Sequence, residues 1–244
     1  MSPEESQRYE WQIWTEGFGE VGQAKLKAST VLISRCGGVG GTAALELAAA
    51  GVGRIILAHG GDLRLDDLNR QLLMSTAHVG KPRVDCAVTR LRDLNPNVEV
   101  IGVSKNISEA NVVALVQQAD VVISAAPLFA ERLLMNLACV QQCKPMIDAA
   151  MFDLQCSVMP ILPGQTACLN CVTPEPPAWW KREFPVFGAV SGTAGCIAAM
   201  ETIKLLAGFG ESLVGHLMAI DYRTMHCRKV AVARDPLCPV CGGK

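Results

Sequence analysis

Residues 30 to 71 leave this chain few ways to fold. The apolar run Val31-Leu32-Ile33 leads through Arg35 and Cys36 into Gly37, Gly38, Gly40 and Gly41, after which Thr42 to Ala50 has helical composition. The stretch reads as strand, tight turn and helix. In a parallel sheet that unit holds a phosphate, because glycines let the backbone approach an anion and the free amides at the helix N-terminus, the positive end of its dipole, bind it. A second apolar run, Arg54 to Ala58, follows Gly51-Val52-Gly53 and is expected to be the neighbouring parallel strand. Where that strand ends, a nucleotide's ribose is normally read by an acidic residue. The position holds His59-Gly60-Gly61, with Asp62 three residues late, which disfavours a dehydrogenase although Gly38-x-Gly40-x-x-Ala43 matches the dinucleotide fingerprint.

Downstream, strand and helix alternate. A polar loop, Asp62 to Met74, carries Asp66, Asp67, Asn69, Arg70 and Gln71, and Gly80-Lys81-Pro82 turns into a helix from Val84 to Leu94. Asn95-Pro96-Asn97 ends that helix, since a residue before proline disfavours the α region. Val98 to Val103 reads as a strand, Glu109 to Gln118 as a helix, Asp120 to Ser124 as a buried strand, Ala130 to Cys143 as a helix and Pro145 to Ala150 as a strand. This alternation predicts an α/β fold with a Rossmann-like, doubly wound, mostly parallel sheet. From residue 151 the pattern changes to an antiparallel extension near Leu154 to Leu162, a proline- and tryptophan-rich crossover loop from Thr173 to Phe187, and a helix from Ser191 to Ala207. A hairpin is expected about Tyr222-Arg223. The expected organisation is a helical arm over residues 1–29 that packs on a neighbour, a core over 30–150, and an extension over 151–244. Together these form one compact domain.

A net charge of -1 and a pI near 6.4, without a basic cluster, argue against nucleic acid as a partner. The apolar helix near Gly192 to Phe209 is interrupted by Glu201 and Lys204, so no membrane span is expected, and Met1 to Glu5 lacks the features of a signal peptide. The expectation is a cytoplasmic protein.

Eleven cysteines in such a pattern fit reduced thiols and a metal site better than disulfides. Cys168, Cys171, Cys238 and Cys241 form two Cys-x-x-Cys knuckles that together close a tetrahedral shell, as in a structural zinc site. Cys36, Cys86, Cys139, Cys143, Cys156 and Cys196 are read as small core residues. Trp179, Trp180, Phe184 and Phe187 of the crossover loop are read as covering the open end of the sheet, with a partner-docking patch as the alternative. The terminal Gly242-Gly243-Lys244 reads as a knuckle turn.

Taken together, several motifs resemble the HesA/MoeB/ThiF family. They are Gly37-Gly38-x-Gly40, Ala50-Gly51-Val52-Gly53, Leu68-Asn69-Arg70-Gln71, Leu94-Asn95-Pro96, the two knuckles, and Gly188 to Gly192 with Met200 to Lys204. The resemblance covers nearly the whole chain. It implies a homodimeric enzyme that uses ATP and magnesium to adenylate the C-terminal glycine of a ubiquitin-like sulfur carrier of the MoaD or ThiS type. Gly37, Gly38, Gly40, Asn69, Arg70, Gln71 and Arg83 would then hold the nucleotide, with Arg70 and Arg83 acting on the phosphates.

The chain departs from the family pattern at five places. Arg35 stands for the glycine that opens the turn, His59-Gly60-Gly61 for Asp-x-Asp, and Pro127 for the magnesium-associated aspartate. Trp11 stands for an N-terminal arginine and Arg83 for a lysine. Proline offers neither a metal ligand nor a backbone donor. Arg35, Arg70 and Arg83 would leave a net cationic pocket. Two readings follow: adenylation with displaced carboxylates, the candidates being Asp62, Asp148 and Asp153, or a pseudoenzyme that scaffolds a ubiquitin-like carrier or an active paralogue.

Overall fold

A computed structural model describes residues 1–178 and 180–243. Five parallel strands form the first part of a single sheet: β1 (Thr30–Ser34), β2 (Arg54–Ala58), β3 (Glu99–Val103), β4 (Val121–Ser124) and β5 (Met146–Phe152). Three antiparallel strands continue it: β6 (Gln155–Ile161), β7 (His216–Asp221) and β8 (His226–Ala231). Their spatial order is β3-β2-β1-β4-β5-β6-β7-β8. The chain reverses direction across the sheet at β1 and β4, which is where an open parallel sheet leaves a crevice for a ligand.

Side chains alternate between two faces, as the two-residue period of a strand requires. Val31, Ile33, Ile55 and Leu57 enter the core built with α3 (Gly38–Ala50), α4 (Arg83–Leu94) and α8 (Gly188–Ala207). Leu32, Ile56 and Val122 enter the opposite core, with α5 (Val112–Gln117) and α6 (Phe129–Gln141). Helix α8 has the length and composition of a membrane span, but here it packs on α3 and on β4, β5 and β6. Its Glu201 is buried, accepting hydrogen bonds from Ser212 Oγ at 2.6 Å and Leu213 N at 2.7 Å.

The N-terminal arm is helical, as expected, but in two pieces. It forms α1 (Pro3–Ile13) and α2 (Gly19–Ala28), broken at Gly17 and Gly19, whose φ angles of 77° and 59° suit glycine. Ser2 and Glu5 form a capping box at the start of α1. Both helices are bolted to their own chain. Gln12 and Gln23 each donate to Ala50 O, at 2.8 and 3.0 Å, and the Asn95 amide reaches Tyr9 Oη at 2.8 Å and Ala48 O at 2.7 Å. Trp11 and Trp14 remain exposed.

Two further expectations change. Cys36, Cys86, Cys139 and Cys156 are buried as expected, but Cys143 and Cys196 are exposed. In the crossover loop Trp180 meets Phe129 edge-on at 5.2 Å and lies 5.1 Å from Phe184, so these two cover the sheet end, whereas Phe187 is exposed. Trp179 and Lys244 lie outside the described residues; the turn before Lys244 is closed by Gly242 N donating to Cys238 O at 2.8 Å.

Candidate active site

The glycine turn opens onto a cleft of about 400 Å³. Gly37 caps α3 and Gly38 starts it, so the first amides of that helix face the cleft. Gly40 serves a different purpose. A Cβ there would stand 2.0 Å from Arg35 O, so glycine lets α3 begin directly against the end of β1. Opposite the turn, Arg70, Gln71 and Arg83 line the cleft. Asn69 does not line it; its side chain donates to Val186 O at 3.3 Å and accepts from Arg70 Nη1 at 2.8 Å.

Asp67, read in the sequence only as part of a polar loop, is the hub of this wall. Its carboxylate accepts from Arg83 Nε and Nη2 at 3.2 and 2.6 Å, Arg70 Nη2 at 3.1 Å, Gln71 Nε2 at 2.8 Å and Arg64 N at 3.0 Å. Burial alone would raise the Asp67 pKa, but the Arg64 amide and the Arg83 and Arg70 guanidinium groups hold it below the usual carboxylate range. Gln71 Oε1 is buried without a hydrogen-bond partner, an acceptor that a ligand hydroxyl or a water would satisfy.

The cleft keeps the excess of positive charge expected from the sequence, but most of its arginines are paired. Arg35 is paired with Glu131 at 2.5 Å, Arg83 and Arg70 with Asp67, and Arg132 with Asp148 at 2.5 Å. Arg182 and Arg228, both exposed, line the outer part of the cleft.

The displaced-carboxylate candidates are corrected. Asp148 is buried and committed to Arg132 and to Ser124 Oγ, at 3.1 Å. Asp153 sits in the β5–β6 turn with φ 54° and pairs with Arg223, and Asp62 is exposed; neither lines the cleft. The carboxylates nearest the glycine turn are already held by arginines, so this donor set does not fit a magnesium ion bound by protein carboxylates. A polyphosphate does fit the helix N-terminus with Arg70 and Arg83 beside it.

His59 occupies the ribose-reading position as a neutral ring. Cys36 N donates to its Nδ1 at 3.1 Å, which places the ring proton on Nε2. Burial first, then the Arg35 and Arg83 charges, push its pKa down to about 3. Burial also pushes the adjacent Cys36 thiol up to about 12, so it is no nucleophile.

The cleft continues away from the turn over strands β5 to β7, where Ala149, Ala150, Ser157 and Ala219 give it a floor of small side chains. Arg132 lies 4.7 Å from the centre of the Phe129 ring, and both line the cleft. Sequence reasoning missed Arg132 and Glu131. Their only signal was the position of two opposite charges in the first turns of α6, just after Pro127.

Cys168, Cys171, Cys238 and Cys241 come together with all four sulfur atoms within 4.8 Å of one another. Three of the Sγ···Sγ distances are 4.0, 3.7 and 3.4 Å. A zinc ion with tetrahedral bonds of about 2.3 Å spaces its thiolates by about 3.8 Å, so the cluster has the dimensions of such a site.

The fold agrees with known proteins. The ThiF family model matches residues 9–240. The chain belongs to the ThiF family. A heterocyst HesA protein of Trichormus variabilis is 48% identical over 242 residues, spanning 99% of this chain and 91% of the relative. The sulfur carrier protein ThiS adenylyltransferase of Escherichia coli is 35% identical over 246 residues, 100% of this chain and 98% of that one. Among solved structures, E. coli MccB with ATP superposes with a TM-score of 0.82 at 27% identity, over 91% of this chain and 68% of the other. MccB with MccA-N7isoASN reaches 0.87 at 25% identity, over 97% and 75%. Within this ThiF-family chain, Gly37, Gly38, Arg70, Gln71 and Arg83 converge on the cleft, while Gly40 and Asn69 support it from behind.

Proposed function

We propose that the chain is an adenylyltransferase that activates the C-terminal carboxylate of a ubiquitin-like sulfur carrier. A carboxylate oxygen of the carrier attacks the α-phosphorus of ATP, the bond to the bridging oxygen breaks, and pyrophosphate leaves with that electron pair. The product is an acyl-adenylate.

The observation that carries the reading is the convergence of the α3 N-terminus with Arg70 and Arg83 on one cleft. The reading gives each group a task. The α3 amides and the two arginines hold the phosphates and take up the charge that develops on the leaving pyrophosphate. Gln71 Oε1 takes a donor from the nucleotide, and the small-residue floor admits an extended glycine tail. The adenylyltransferase names of relatives that share nearly the full chain support this assignment.

Zinc is proposed for the four-cysteine cluster, with a structural task only, because four thiolates leave no position for water or substrate. A cytoplasmic homodimer completes the reading. It is in keeping with eleven cysteines free of disulfides and with the exposed Trp11 and Trp14, and sedimentation velocity reads the dimer directly.

The test is ATP–pyrophosphate exchange with purified ThiS- or MoaD-type carriers. Exchange that depends on the carrier's terminal carboxylate supports the reading; no exchange with any cognate carrier overturns it. A scaffold without catalysis is the second reading, favoured by one observation, the commitment of Asp67 and Asp148 to arginines. It predicts carrier binding with no exchange.

A further inference from the structure

Arg35 stands between two cavities. The cleft that holds the glycine turn lies on one side. On the other is a cavity of about 630 Å³, lined by Asn106, Ile107, Leu128, Glu131 and Leu133 among others. Among the described residues Arg35 alone lines both.

Its side chain is held firmly. Arg35 leaves the end of β1 with φ 68°, a left-handed conformation that favours glycine. Its Nε donates to both Glu131 oxygens at 3.1 and 3.0 Å, and its Nη2 reaches Oε2 at 2.5 Å. Both residues are buried, at 8% and 5% exposure, so the pair forms a wall rather than a surface contact.

The two cavities differ in chemistry. The first offers amides and guanidinium groups to an anion. The second has walls of Ile107, Leu128 and Leu133 with the amides of Asn106 and Asn170 at its edge, which suits a flat heterocycle with hydrogen-bonding edges. Asn106 also ties that cavity to the strand-end loop, since its Oδ1 accepts from Gly60 N at 2.8 Å.

We propose that these are two halves of one nucleoside triphosphate site, and that the Arg35–Glu131 pair is a partition that must open before the whole nucleotide binds. The inference rests on the adenylyltransferase reading of the cleft. It adds that the closed pair weakens the chain's apparent affinity for ATP, since affinity falls with the fraction of molecules in the competent state.

The test compares the intact chain with Arg35→Gly/Glu131→Gln and with Glu131→Gln alone, using calorimetric titration with ATP and with inorganic tripolyphosphate. In the double variant glycine suits φ 68° and no buried charge is left unpaired, whereas Glu131→Gln alone leaves the buried Arg35 without its carboxylate, so a thermal melt confirms that each variant folds. The expected result is ATP affinity at least about tenfold higher in the double variant, with tripolyphosphate affinity unchanged there, whereas Glu131→Gln alone frees a cation beside the phosphates and raises the affinity for both anions. If tripolyphosphate binds throughout but ATP binds no better, or worse, the partition is overturned and the cleft assignment stands. If neither anion binds any form, both fall.

Discussion

Asp67→Asn is the most informative single change. The native carboxylate accepts five hydrogen bonds, three of them from the guanidinium groups of Arg70 and Arg83. Asparagine keeps one acceptor oxygen, turns a donor toward an arginine and removes the charge. Removing one partner of a buried ion pair costs about 3–5 kcal/mol, and hydrogen bonds to charged groups are worth about 1.5–3 kcal/mol each. The Arg70 side chain is 25% exposed, so water recovers part of its loss, and the Arg83 side chain, 13% exposed, carries most of the effect. A net destabilisation of about 3 kcal/mol follows. In a chain of this size that lowers Tm by roughly 6–12 °C. Urea titration of the single variants Asp67→Asn and Arg83→Met and of the double variant isolates the pair, with a coupling of about 2 kcal/mol expected. A loss under about 1 kcal/mol, or a coupling near zero, would refute the hub assigned to Asp67.

His59 gives the chain a pH-dependent stability. Its folded-state pKa, about 3, lies below the unfolded value, so the unfolded chain binds the extra proton as pH falls. This contribution is complete above about pH 6.5 and is lost toward pH 3 at up to about 1.4 kcal/mol per pH unit. Urea titrations at pH 7 and pH 5 read it as a difference between the intact chain and His59→Gln; equal slopes would contradict the buried neutral ring. A zinc chelator strong enough to empty the four-cysteine cluster should unfold the segment around Cys168 and Cys238 and expose the core beneath it. Hydrogen exchange confined to residues 162–172 and 234–243 reads this outcome, and unchanged protection there would exclude a metal at the site.

Much of the frame was legible because it is written in local patterns. The apolar runs at Val31–Ile33 and Val121–Ile123 became adjacent parallel strands, and the turn about Tyr222-Arg223 became the β7–β8 hairpin. The two knuckles met because each Cys-x-x-Cys spacing already sets two thiols on one side of a turn. What could not be read is what the tertiary fold brings together. Arg35 and Glu131 are 96 residues apart, and no local signal told which of the nearby carboxylates would neutralise which arginine. The arginines near the glycine turn therefore looked unpaired in the sequence and are held by carboxylates in the structure. The break in the N-terminal arm was missed because its polar residues keep a helical composition through Gly17 and Gly19. Cys196 was placed in the core because α8 is apolar on nearly every side, and only packing shows which side faces out.

The adenylate itself is the most direct test of the central claim. The chain is mixed with ATP and a carrier ending in a free glycine carboxylate, quenched in acid, and examined by intact-protein mass spectrometry. The expected product is a carrier heavier by one adenylyl group, lost on mild base and absent when Arg83 is replaced by methionine. A carrier of unchanged mass, recovered in complex with a folded chain and ATP, would contradict the central claim.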